Sequence, residues 1–151
     1  MIERIYIRST SGSAQLEQDS VIAVANSGIE GDRNFARHDY PGQNITLIEA
    51  EEIEAFSREY ARLPDLAMTY RNLVTRGVRL NALVGKEFSV GSVRLKGVEL
   101  CEPCLHLGTL LASAELTPAA VVKRFLHRAG LRADILSNGL IKRGAAVTID
   151  A

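Results

Sequence analysis

Phe88-Ser89-Val90-Gly91-Ser92-Val93-Arg94-Leu95-Lys96-Gly97-Val98-Glu99-Leu100 is the stretch that decides the fold class. Phe88 and Val90 alternate with polar neighbours, and Gly91-Ser92 supplies a tight turn. Val93 and Leu95 then resume the alternation. A period of two places every second side chain on one face, the pattern of a half-buried strand. The phase shifts near Gly97, where Val98 and Leu100 take over, which predicts a bulge.

Working outward, further short strands follow the same logic. Ile2 to Ile7 alternates through Ile2, Ile5 and Ile7. Val21 to Ala25, Asn44 to Ile48, Arg71 to Thr75, Arg132 to Leu136 and Ala145 to Ile149 are short apolar runs bounded by Gly, Asn, Asp or Ser. Two helices stand out. One carries Ile53, Phe56 and Tyr60 at helical spacing with a Glu54–Arg58 pair on its other side, and Pro64 ends it. The other begins at Thr117-Pro118, buries Val121, Val122, Phe125 and Leu126, and reaches Gly130 as its C′ residue. Next to the Cys101–Cys104 segment no helix is predicted before residue 117. The interval 26–43 is long for a connection, and long connections tend to carry function. Strands that do not alternate regularly with helices argue against a doubly wound sheet. Many short strands with glycine turns predict a mainly β fold, a closed or partly closed β-barrel with peripheral helices, as one domain over residues 1–151.

The composition fits. The chain has 151 residues, 46% hydrophobic and 24% charged, the profile of one ordinary globular domain. Lys plus Arg and Asp plus Glu each number 18. A net charge of zero argues against non-specific nucleic-acid binding, which needs a basic excess. The two halves differ: residues 1–75 carry 7 basic and 12 acidic groups, residues 76–151 carry 11 and 6. Of the basic residues 14 are Arg, the better fork for planar or phosphate oxyanions. A small anionic ligand held by the second half fits this asymmetry, and an uneven solvated surface fits it too. No apolar run reaches the roughly 20 residues needed to span a bilayer. The N-terminus lacks the pattern of a secretory signal. With only two cysteines, a disulfide scaffold is not expected, and a reducing cytoplasm is.

Cys101-Glu102-Pro103-Cys104, with His106 nearby, is the sharpest chemical feature. It reads as a redox dithiol, as part of a zinc site completed by a distant ligand, or as one cysteine acting as ligand or nucleophile. A buried pair that fills space fits as well. His106 could serve as a base beside Cys104 or be a satisfied loop histidine. Gly28-Ile29-Glu30-Gly31-Asp32-Arg33 is neither a dinucleotide fingerprint nor a P-loop. Its glycines could admit a ligand close to the backbone, or the segment is a surface turn. Arg71-Asn72 could grip an anion or an amide-bearing ring, or be a satisfied surface pair. Arg128 and Arg132 flank Gly130, and Arg128 could complement a helix C-terminus.

Taken in order, several segments resemble the MOSC domain family, named for the C-terminal region of molybdenum cofactor sulfurase. They are Gly28–Arg33, Gln43–Glu49, Arg71–Val74, Leu80–Lys86, Phe88–Gly91, Leu100–Cys104 and Gly130–Ala133. The resemblance implies a pyruvate-kinase barrel-like β-barrel and a molybdenum cofactor (Mo-molybdopterin) ligand, with sulfur carried or transferred through a cysteine. It places the catalytic and metal-ligand role on Cys104, with Cys101 as a less certain partner. It implies cofactor binding by Arg33, Arg71, Asn72, Cys104, Arg128 and Arg132. The implied partners are a molybdoenzyme or a sulfur-donor protein. Asn34 stands where many members have His or Lys. The desulfurase-like domain of larger members is not seen, so pyridoxal phosphate is not expected. The alternatives are a non-catalytic pterin carrier and a zinc-stabilised structural protein.

Overall fold

The computed structural model describes residues 1–61, 65–103 and 105–149, without the side chains of residues 105 and 106. Pro64, expected to end the first helix, lies outside the described residues, as does Cys104.

The strands are β1 (Ile2–Ile7), β2 (Leu16–Gln18), β3 (Ser20–Val24), β4 (Gly28–Ile29), β5 (Ile45–Glu49), β6 (Leu73–Thr75), β7 (Glu87–Val90), β8 (Val93–Leu100), β9 (Leu131–Ile135), β10 (Gly139–Lys142) and β11 (Val147–Ile149). The helices are α1 (Ala50–Tyr60), α2 (Leu105–Leu111) and α3 (Pro118–Phe125). Eight strands form one sheet in the order β11-β7-β8-β9-β5-β6-β1-β2, and β10-β3-β4 forms a second.

The fold is mainly β, as expected, but it is a curled half-barrel and not a fully closed barrel. The reason lies at Asp19. β2 pairs with β1, whereas β3, one residue later, pairs with β10 and β4. The chain changes sheets there, so the large sheet ends in two separate edges, β2 and β11. Most pairings are antiparallel. β5 and β6 are parallel, which requires a crossover, and α1 lies within it.

Adjacent residues of the central strands serve opposite faces. Ile5, Leu47 and Leu73 enter a core shared with the small sheet through Val21, Ala23, Ile29 and Ile141. Tyr6, Ile48 and Val74 enter a second core with Phe56, Leu107, Leu111, Val121 and Phe125 of the helices. A strand buried on both faces reads as a continuous apolar run, and Leu47-Ile48 and Leu73-Val74 are such runs.

Several local expectations need correction. α1 buries Ile53 and Phe56 as expected, but it ends at Ala61 in the left-handed conformation, φ 51°. Glu54 takes Arg76 from across the fold as its hydrogen-bonded partner, and Arg58 adds only a weaker charge attraction. α3 starts as expected, with Thr117 accepting from the Ala120 amide and Pro118 in first place. It buries Val121 and Phe125, while Leu126 is left exposed. Gly130 is not the C′ residue of α3, which stops five residues earlier. It is required where β9 crosses β5: its φ is +110°, and a Cβ there would sit 1.9 Å from the Leu47 carbonyl oxygen. α2 was not anticipated. Its Gly108 lets it approach α3, since a Cβ would meet the Pro118 carbonyl at 2.6 Å. The phase change at Gly97 is a true irregularity, with register shifting between Gly97 and Glu99 against β9.

Glu49 closes β5 and is buried, with Arg79 3.9 Å away. Burial is the main cause that pushes its carboxyl above the ordinary glutamate value; Arg79 opposes this, and Glu52 and Glu51 add to it. A raised folded value means that stability is fully present below the unfolded value and lost as pH rises through the folded one. Glu49→Gln is therefore expected to raise Tm modestly at pH 7, with the gain vanishing below about pH 4. Thermal unfolding of both proteins between pH 3 and 8 checks this.

Candidate functional site

The strands bring distant residues together at one end of the large sheet. β1 ends just before Arg8, and β6 starts just after Arg71-Asn72. Thr46 near the start of β5 is the register partner of Arg132 near the start of β9, and Cys101 follows the end of β8. The loop after β4 adds Asp32 and Arg33. Together they line a cleft of about 230 Å³.

Asn72 braces this end. It is buried, and its Oδ1 accepts from the Thr46 amide at 3.0 Å and the Thr46 hydroxyl at 3.2 Å. Its Nδ2 donates to the Tyr6 carbonyl at 3.1 Å and lies 3.5 Å from Asp32 Oδ1. Its backbone N–H donates to the Thr46 Oγ1 and carbonyl, and its carbonyl accepts from the Tyr6 amide at 2.7 Å. The side-chain amide is thus fully engaged within the protein and serves as a joint. Asp32 is similar. Its oxygens accept from the Arg8 amide at 3.0 Å and the Asn34 amide at 3.2 Å, fixing the loop that carries Arg33.

Four arginines face this frame: Arg8, Arg33, Arg71 and Arg132. Arg71 donates through Nε to the Ala129 carbonyl at 2.8 Å and through a terminal nitrogen to the Thr69 carbonyl at 3.2 Å. Two neutral acceptors set the fork and leave three of its five N–H groups for other partners. Arg8 stacks on Tyr70, its guanidinium 4.3 Å from the ring centre. Arg132 donates to the Tyr40 hydroxyl at 3.2 Å, lies 5.3 Å from that ring centre, and has Glu99 at 3.7 Å. The Arg33 side chain has no hydrogen-bond or ion-pair partner among the described residues. Gln15 lends its Oε1 to the same cleft, a buried acceptor without a partner among the described residues.

Of the residues singled out by sequence, Arg33, Arg71, Asn72 and Arg132 are brought together. Arg128 is not. It follows the left-handed turn at His127, φ 60°, and lies in a separate concavity with Tyr60, Lys123 and Leu126 on the helical layer. Cys101 lines the cleft as a free, buried thiol whose amide donates to the Gly130 carbonyl at 2.8 Å. Among the described residues no cluster of three or more His, Cys, Asp or Glu could hold a metal. Arg8, Gln15, Tyr40, Thr46 and Tyr70 were missed by sequence. Arg8 could have been suspected because it ends a strand, but only the pairing of β1 with β6 shows where that end lies.

A family model for the MOSC domain matches residues 34–148, well over half of the chain. The chain belongs to the MOSC domain family. Cys101, Cys104, Arg71, Asn72 and Arg132 fall inside the matched range, while Arg8, Asp32 and Arg33 precede it. Solved structures agree on the fold of this MOSC domain. The YuaD protein from Bacillus subtilis is 17% identical, with a TM-score of 0.83 over 97% of this chain and 92% of its own. YiiM from Geobacillus stearothermophilus is 16% identical, with a TM-score of 0.75 over 100% of this chain and 75% of its own. YiiM from Escherichia coli is 16% identical, with a TM-score of 0.66 over 98% and 70%. No curated protein matches the chain in sequence.

If Asn72 is the joint described, Asn72→Ala strands buried partners on β1 and β5. It is expected to lower stability by about 2–4 kcal/mol. Urea unfolding checks this, against an expected change of about 0.5 kcal/mol or less for a solvated surface residue.

Proposed function

We propose that this MOSC domain binds the molybdenum cofactor, a molybdopterin-type anion, in the arginine-lined cleft. One observation carries the reading. Four guanidinium groups share a cleft whose one carboxylate among the described lining residues, Asp32, is already engaged by backbone amides. Such a site is electropositive and suits an anionic ligand. The MOSC family is associated with the molybdenum cofactor.

The residues present suit the group chemically. Arg33, Arg71 and Arg132 would hold its phosphate through charge-assisted hydrogen bonds. Gln15 Oε1, a buried acceptor without a partner among the described residues, would accept from a donor of the bound cofactor. When bound, the cofactor would supply a molybdenum centre. Cys104 is the proposed soft ligand for that metal and, as a persulfide, the proposed carrier of sulfur. A pterin carrier without turnover is the simpler form of the same reading. A reducing cytoplasm and a molybdoenzyme or sulfur-donor protein as partner belong to the proposal. Reductase chemistry would draw electrons from an external protein, because the sequence carries no flavin or iron–sulfur motif.

Binding of purified molybdopterin cofactor to wild type and variants, with metal analysis of the bound fraction, tests this. Wild type is expected to retain pterin. Arg71→Ala weakens binding by about 10- to 100-fold, while Arg128→Ala changes it less than about twofold. Cys104→Ser is expected to keep the pterin and lose the molybdenum. A wild-type protein that holds no pterin sinks the reading; a Cys104→Ser protein that keeps its molybdenum removes only the ligand role.

A further inference from the structure

The arginine cleft has a neighbour. A second concavity of about 370 Å³ lies beside it, lined by Asn26, His38, Asn44 and Asp134 among others. Among the described residues the two share one lining side chain, Tyr40. The cleft alone, at about 230 Å³, is smaller than the roughly 300–1,000 Å³ usual for sites that enclose an organic ligand. It accommodates a phosphate more readily than a phosphate with a ring attached.

The loop that carries Tyr40 is fixed, while Tyr40 itself is exposed. The backbone on both sides is tied: the Asp39 amide donates to Gln43 Oε1 at 2.9 Å and the Gly42 amide to Asp134 Oδ1 at 2.8 Å. The residue as a whole is 44% exposed. Its contacts to the cleft run through Arg132, by one hydrogen bond from the guanidinium to the hydroxyl at 3.2 Å and a ring–guanidinium approach of 5.3 Å. Both are solvent-exposed, and neither matches a guanidinium–oxyanion pair.

We propose that Tyr40 is a gate between the two concavities, swung off Arg132 by a ligand longer than a phosphate. The proposal rests on the anion-binding reading above and assigns Tyr40 as the residue that sets ligand length. Arg132 exchanges a neutral hydroxyl for an oxyanion, the stronger of the two partners. The ring leaves the shared wall, and the ligand extends toward Asn44 and Asp134.

Titrating inorganic phosphate and purified molybdopterin into wild type, Tyr40→Phe and Tyr40→Ala tests the gate. Free phosphate is small enough to sit on Arg33 and Arg71 without displacing Tyr40 from Arg132, so its affinity is expected to stay within about twofold across all three proteins. Molybdopterin is expected to bind Tyr40→Ala about 5- to 20-fold more tightly than wild type, with faster association, because the contacts to Arg132 no longer need breaking. Tyr40→Phe falls between the two. Equal molybdopterin affinity in wild type and Tyr40→Ala overturns the gate. Weaker binding by Tyr40→Ala also overturns it and makes the ring a platform. Failure of the wild type to bind phosphate overturns the anion-binding reading itself, and it is seen before any variant is compared.

Discussion

The Asn72 side chain is the constraint on which the strand-end architecture rests. β1, β5 and β6 converge where β6 begins, and a parallel pair meets an antiparallel one there. Backbone groups at such a junction cannot all find ladder partners. The amide reaches Tyr6 on β1 and Thr46 on β5, and approaches Asp32 on the loop after β4. Asp32 in turn fixes the backbone of Arg8 and Asn34. Arg8 and Arg33 therefore stand on a braced frame, and Arg71 is the residue next to the brace.

The arginines of the cleft differ from those elsewhere in the choice of neighbour. Arg4 pairs with Glu17, Arg76 with Glu3 and Glu54, and Arg124 with Glu59. These charges are neutralised locally. In the cleft, Arg71 is held by carbonyls and Arg8 by a tyrosine ring. Of the four cleft arginines, only Arg132 forms an ion pair among the described residues, with Glu99 at 3.7 Å, and it also leans on Tyr40. Neutral partners position a guanidinium without cancelling its field, which leaves the charge for an incoming anion.

Much of this was legible in the sequence, and the omissions have physical causes. The strand from Phe88 onward, its bulge at Gly97 and the capped start of α3 are local patterns, and local chemistry sets them. β2 escaped notice because Leu16-Glu17-Gln18 lies at a sheet edge with an exposed leucine and carries no apolar alternation. β10 was hidden by Asn138-Gly139, which reads as a turn, although its Leu140-Ile141 pairs with β3. The half-barrel could not be told from a barrel, since closure depends on which strands β3 chooses as partners. Of the residues that line the cleft, Arg71 and Arg132 were among those singled out from the sequence. Arg8 and Tyr40 were not, because their place is set by pairings across the chain. Arg128 and Arg132 lie four residues apart around Gly130, yet they serve different layers.

The two-faced burial of the central strands has a consequence for how this chain can vary in length. Leu47 and Ile48 feed separate cores, as do Leu73 and Val74 and, on β1, Ile5 and Tyr6. A single-residue insertion inside β5 would exchange the faces of every later side chain in the strand. It would also carry Thr46 or Glu49 out of its pairing with Arg132 or Thr75. Insertions are absorbed at the Ser9–Ser13 turn or around Gly144, where the chain is exposed, whereas the middle strands keep their length.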